Sequence, residues 1–483
     1  MRGLLRLQRL VQVPLRIAAV TTVFVLLGAF AIVSASAQTE TDTSVPTVQG
    51  PITGPGPAFS SMSACDSGCP NPTPGTSMSD FNYVTQEYFV SGVAAGSPYM
   101  TRIVVRRPAA PQKFSGLVVA EPMHFSGSAL ICQYAQLGIA MDGDACLEID
   151  SEPLDLGLLQ RFNSARYGSL NMAPGPPNDI QTNDILAQVG RLVRSNGPDN
   201  PFAGFGVKAM VLSGISESSL VTQTYMSAYD GGSSTFLMPD GSPIYQGFFL
   251  SSTLGPNPLP ITNVPTIQMP TQNEVTAGQP GNGESSSFQR PDSDSPSNPF
   301  RIYEVAGMSH ADVRNLPNNQ GCILPFSQFP QGAMEFMGLE HELNWVAYGT
   351  VPPHAPSYIA VNPGNQVIDG TRVALDQYGN AIGGVRTPYL DVPIFSYTIP
   401  NYSNPTSAGP SFLCAIAGFQ TPLPQSVLQG LYKNEGQYIS AVNNDLHQLA
   451  NEGWWPEQYT QSFLRADTLA YAKEFLAPAP AQA

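Results

Sequence analysis

The 483-residue sequence predicts an α/β fold, a mainly parallel central sheet flanked by helices, on three observations. Short, strongly apolar runs alternate with helix-compatible stretches through the middle of the chain. A serine set between small residues directly follows one of those runs. A histidine lies just after the last clear run of the series.

The first 37 residues read as a targeting segment. Arg2, Arg6, Arg9 and Arg16 form a positive n-region, residues 17–33 are apolar and uncharged, and Ala35-Ser36-Ala37 supplies the small-residue cleavage pattern. Cleavage after Ala37 leaves a secreted or periplasmic chain starting near Gln38. An uncleaved anchor is the alternative, because the apolar run approaches spanning length. Residues 38–77 are rich in Pro, Gly, Ser and Thr without apolar periodicity, so they read as a linker. The remaining residues, 78–478, suffice for one large α/β domain.

Within it, residues 81–89 and 100–107 alternate apolar and polar side chains and predict an antiparallel pair. The run 116–122 (GLVVAEP) has the continuous apolar character of a strand buried on both faces, and residues 144–150 give a further strand. Residues 183–195 place Ile185, Leu186, Val189, Leu192 and Val193 on one helical face. Strands are then expected at 207–212, 244–250, 265–269 and 300–305, with a polar surface loop at 278–299. Helices are expected at 332–348 and 457–476, and the proline-rich residues 351–425 read as a cap or insertion. Tyr358, Tyr378, Tyr389 and Tyr397 in that segment either roof a pocket or serve packing.

The formal net charge is −15, about −19 once the four leader arginines are removed, and the chain holds only four lysines. With no basic stripe, nucleic acid is not an expected partner. The six cysteines of an exported chain favour disulfides. Proximity suggests pairs 65–69, 132–146 and 322–414. The absence of C-x2-C pairs and of cysteine–histidine ligand spacing argues against a metal, and no cofactor is implied.

Gly214-Ile215-Ser216-Glu217-Ser218 stands between the apolar run and the helix-compatible residues 219–229. A sharp strand-to-helix turn with small residues two places either side lifts a serine hydroxyl clear of the sheet. This is the nucleophile elbow of α/β-hydrolases, with Ser218 in place of the usual second glycine. Such a serine needs a base. Of His124, His310, His341, His354 and His447, His310 follows the run 300–305 and best fits the chain order serine, acid, histidine. The acid is expected on the loop after 265–269, where Glu274 is the only carboxylate before the polar loop; Asp292 and Asp294 are the next candidates. Oxyanion stabilisation needs two N–H groups. Glu217 should supply one from the backbone, and the turn after Pro122 the other, through Met123, His124 or Phe125. His124 is also a candidate side-chain donor.

Longer segments carry a resemblance. Tyr88-Phe89-Val90-Ser91-Gly92, the stretches 99–108 and 114–121, the elbow and Val305-Ala306-Gly307-Met308-Ser309-His310-Ala311 resemble the "alpha/beta hydrolase domain" family of exported bacterial and fungal proteins. So do Trp345-Val346-Ala347-Tyr348-Gly349-Thr350-Val351-Pro352-Pro353 and the stretch 376–388 (DQYGNAIGGVRTP). The resemblance spans about residues 80 to 475. It implies an α/β-hydrolase fold with a triad at Ser216, Glu274 and His310. The chain departs from it at Ser218 and at Glu121-Pro122-Met123-His124, where many members have E-x-x-N. The expected activity is an exported serine hydrolase that cleaves a carboxylic ester of a small molecule, of a size the sequence does not set, through an acyl-enzyme on Ser216. The alternatives are an amide or lactone hydrolase with the same triad and a catalytically silent binding protein on the scaffold.

Overall fold

A computed structural model describes residues 45–62, 78–173, 180–230, 232–253, 258–277, 290–313, 321–368, 371–405 and 411–476. The leader, its cleavage site and the expected Cys65–Cys69 pair lie outside the described residues.

The apolar runs become the strands of a ten-stranded sheet: β1 (Thr47–Gln49), β2 (Tyr83–Ala94), β3 (Ser97–Pro108), β4 (Leu117–Pro122), β5 (Ala145–Ile149), β6 (Ala209–Ile215), β7 (Gly247–Ser251), β8 (Thr266–Met269), β9 (Ser293–Ser295) and β10 (Asn298–Ile302). Their order is β1-β2-β3-β5-β4-β6-β7-β8-β10-β9. From β5 across to β10 every pairing is parallel, and antiparallel strands close both ends. Alternate residues of the central strands feed two cores. Val119, Val211, Phe249 and Ile267 meet the helix Gln331–Tyr348, whereas Val118, Met210, Leu212 and Phe248 meet the helices Ile180–Arg194 and Glu217–Asp230. Burial on both faces is why these strands read as unbroken apolar runs.

Two of the segments read as linker or loop carry strands. Within the predicted linker, Thr47–Gln49 adds to the edge of β2. An edge strand is recruited through backbone bonds and needs no apolar pattern of its own. Polar side chains hold the residues beyond it: Arg166 donates to the carbonyls of Ile52 and Gly56, and Arg102 to that of Phe59. Within the predicted polar loop, Ser293–Ser295 and the start of β10 form a hairpin; residues 278–289 of that loop lie outside the described set.

Disulfides join Cys132 to Cys146 and Cys322 to Cys414, the pairs that proximity suggests. The proline-rich segment carries a separate antiparallel pair, β11 (Phe395–Thr398) with β12 (Phe419–Pro422). Tyr389 and Tyr397 are buried there, with rings 6.2 and 5.5 Å from Phe329, and so serve packing. Among the described residues no helix is long and apolar enough to cross a membrane.

Candidate active site

The parallel strands bring three sequence-distant loops to one end of the sheet. β6 ends at Ile215, paired with Ser251, and the next residue turns sharply. Ser216 has φ of +59°, a left-handed conformation costly for a side-chain-bearing residue, and the helix Glu217–Asp230 begins immediately after it. Its N–H is held by the Ser251 carbonyl at 3.2 Å. Gly214 is required by close approach, since a Cβ there would lie 2.4 Å from the Ser218 carbonyl oxygen. Ser218 itself has no left-handed backbone. It is fully buried in the first helical turn, and its hydroxyl accepts from the Ile215 N–H at 3.0 Å and donates to the Ile215 carbonyl at 2.9 Å. The glycine usual at that place is therefore dispensable here, and the serine hydroxyl braces the turn.

Glu274 follows β8 in the short helix Gln272–Ala277. Its Oε2 accepts from the Thr271 N–H at 2.8 Å and from the Thr271 hydroxyl at 2.5 Å, which fixes the carboxylate; its Oε1 lies 2.8 Å from Nδ1 of His310. That contact places the imidazole proton on Nδ1 and leaves the Nε2 lone pair available as a base. The two loops are tied together: Gln272 N–H donates to Met308 O at 2.9 Å, and Gly307 N–H donates to Gln272 Oε1 at 2.8 Å. The backbone of His310 is held from both sides, its N–H by Ile416 O at 3.1 Å and its carbonyl by Gln331 Nε2 at 3.3 Å. Asp292 and Asp294 are not brought to this histidine. They pair with His354, and Asp294 also with Arg301 at 2.6 Å, around the hairpin that begins β10.

On the early turn the structure corrects an expectation. Met123 N–H donates to Ile149 O at 2.9 Å and His124 N–H to Ser128 O at 3.1 Å, while Phe125 N–H donates to Glu217 Oε2 at 3.0 Å. None of the three backbone amides expected to face an oxyanion is free. Met123 continues the pairing with β5, and the turn closes on itself through the His124–Ser128 bridge. Glu217 N–H heads its helix, where the first N–H groups have no intrahelical acceptor.

A family model described as "Alpha/beta hydrolase domain" matches residues 48–465. The chain belongs to this family. No curated protein matches the sequence. Among solved structures, this alpha/beta hydrolase is similar to esterase Est22 (11% identity, 40% of this chain and 66% of that one, TM-score 0.27). It is also similar to a hyperthermophilic esterase from the archaeon Pyrobaculum calidifontis (11% identity, 39% and 65%, TM-score 0.26) and to a fungal esterase of Rhizomucor miehei (9% identity, 48% and 78%, TM-score 0.29). Each alignment leaves a large part of one or both chains unmatched, and none bears on what this hydrolase cleaves.

The other histidines of the hydrolase take different places. His341 is half-buried against Tyr303 and Trp454, and desolvation there pushes it down to about 4. His447 is exposed on the helix Glu435–Glu452. His124 is buried beside the elbow. Sequence reasoning missed the side chain of Glu217. Burial, then the charge of Glu152, push it up to about 9. It also missed Glu335, whose Oε1 accepts from the Ser251 hydroxyl at 2.8 Å beneath the site. No spacing rule links residues so far apart. Among the described residues no group of three or more His, Cys, Asp or Glu is placed to hold a metal ion.

Proposed function

We propose that this hydrolase is an exported serine esterase with Ser216 as nucleophile, His310 as general base and Glu274 as the acid that orients it. The observation that carries the reading is the 2.8 Å Glu274–His310 contact at the strand ends that also present Ser216 in a left-handed elbow. Ser216 Oγ attacks the ester carbonyl as His310 Nε2 takes its proton. Glu274 holds the Nδ1–H tautomer and offsets the charge of the imidazolium. The Glu217 N–H donates to the tetrahedral oxyanion. His310 then returns the proton to the departing alkoxide, and the acyl-enzyme is cleaved by a water that His310 activates. The arginine-rich leader and the two disulfides support a secreted or periplasmic location.

The test is turnover of p-nitrophenyl esters of rising acyl length, with an anilide and a lactone alongside. Wild-type hydrolysis of the esters, reduced about 10⁴-fold or more in Ser216→Ala, is expected. No ester turnover would leave a binding protein on a hydrolase scaffold, and faster cleavage of the anilide or lactone would move the substrate class.

A further inference from the structure

A tetrahedral oxyanion is best held by two donors, and the start of the helix after Ser216 supplies one, the Glu217 N–H. The amides of Met123, His124 and Phe125 have acceptors elsewhere. The side chain of His124 is placed differently. β4 and β6 run parallel and their ladder ends at Ala120 and Leu212, so the residues that follow, His124 in one loop and Ser216 in the other, leave the sheet at the same end. The Phe125 N–H bond to Glu217 ties the residue after His124 to the residue after Ser216.

The protonation of that ring follows from its partners. The backbone N–H of Ser126 points at Nδ1 from 3.2 Å, and the Ser126 hydroxyl lies 2.7 Å from the same atom. A backbone N–H only donates, so Nδ1 carries no proton and the ring proton sits on Nε2. No hydrogen bond to Nε2 occurs among the described residues. The ring plane is fixed by the Phe125 ring, 4.3 Å away. Burial, and then the proximity of His310, push His124 down to about 3. At neutral pH it thus has an N–H to give and no tendency to take the serine proton. It complements His310, whose Nδ1 proton goes to Glu274 and whose Nε2 accepts.

We propose that the Nε2–H of His124 is the second donor to the oxyanion, a catalytic role played by a side chain where the early-turn amides are occupied. This rests on the esterase reading of Ser216, so the two must be scored separately. Fluorophosphonate labelling of Ser216 scores that reading. Steady-state kinetics on p-nitrophenyl acetate score His124. His124→Met fills the space without a donor and should lower kcat about 100-fold with KM little changed, while the labelled fraction at completion stays the same. His124→Gln restores an N–H at similar reach and should recover about tenfold of that loss. A methionine variant with kcat within about threefold of wild type would overturn the proposal, as would a glutamine variant no better than methionine. If wild type neither labels nor turns over, the esterase reading falls and this inference with it. Should the methionine variant not fold, ¹⁵N NMR of the wild type decides. The His124 ring should show a protonated Nε2 and a bare Nδ1 throughout neutral pH, with the Nε2 signal moving when a boronic acid adds to Ser216. A protonated Nδ1, or a signal unmoved by the boronate, would refute it.

Discussion

Ser218 is the position where the elbow departs from the usual glycine, and its geometry yields a sharp expectation: restoring the glycine destabilises the hydrolase. The hydroxyl makes two bonds to the backbone of Ile215, at 3.0 and 2.9 Å, in a fully buried setting. Deleting it strands the Ile215 N–H, at a cost of about 1–3 kcal/mol. Glycine adds roughly 0.5 kcal/mol for the backbone freedom it loses in a helix compared with serine. Ser218→Ala should therefore lose about 1–3 kcal/mol and Ser218→Gly slightly more, a fall of a few degrees in Tm by scanning calorimetry. Because the lost bonds hold the residue before Ser216, kcat should fall with stability. A glycine variant as stable as wild type, or more so, would show that position 218 does want a glycine conformation and that the brace contributes nothing.

Three further expectations come from the site and its supports. Glu274→Gln should lower kcat about 10³–10⁴-fold in p-nitrophenyl acetate assays without unfolding the chain, while Asp292→Asn and Asp294→Asn, which disturb the Arg301–His354 cluster and the bond to the Ile302 N–H, leave kcat near wild type; the reverse pattern would move the acid. The Cys322–Cys414 bridge closes a separation of 92 residues just ahead of Ile416, which holds the His310 N–H, so Cys414→Ser should lose about 4–5 kcal/mol, and a reductant, which also opens Cys132–Cys146, should lower Tm at least as far. Burial pushes Glu335 and Glu121 up from 4.5 to about 8, so between those limits the folded chain keeps protons that the unfolded chain has released. Stability should then decline as pH rises from about 4.5 to 8, by up to about 1.4 kcal/mol per pH unit per group. Thermal melts should show a lower Tm at pH 8 than at pH 5 and a shallower slope in Glu335→Gln, and a Tm that rises over this range would contradict the assignment.

The fold was readable where burial on both sheet faces writes itself as an apolar run, as in β4, β6 and β7. Glu274 and His310 could be expected near each other because chain order along a parallel sheet sets which loops share an end, and the structure sets them 2.8 Å apart. Thr47–Gln49 escaped because edge pairing draws on backbone groups that every residue type carries. The early-turn amides were misjudged for a related reason. Whether the N–H of Met123 or Phe125 is free depends on Ile149 and Glu217, residues that no local pattern connects to the turn. Nor could the sequence tell that Ser126 would set the tautomer of His124.

The most direct test of the proposed chemistry is the covalent fate of one hydroxyl. The protein should be treated with a fluorophosphonate, its intact mass measured and the adduct mapped by peptide sequencing. One adduct per chain on Ser216, absent from Ser216→Ala, is the result expected. An unlabelled wild type, or an alanine variant labelled as fully, would contradict the assignment of Ser216 as nucleophile.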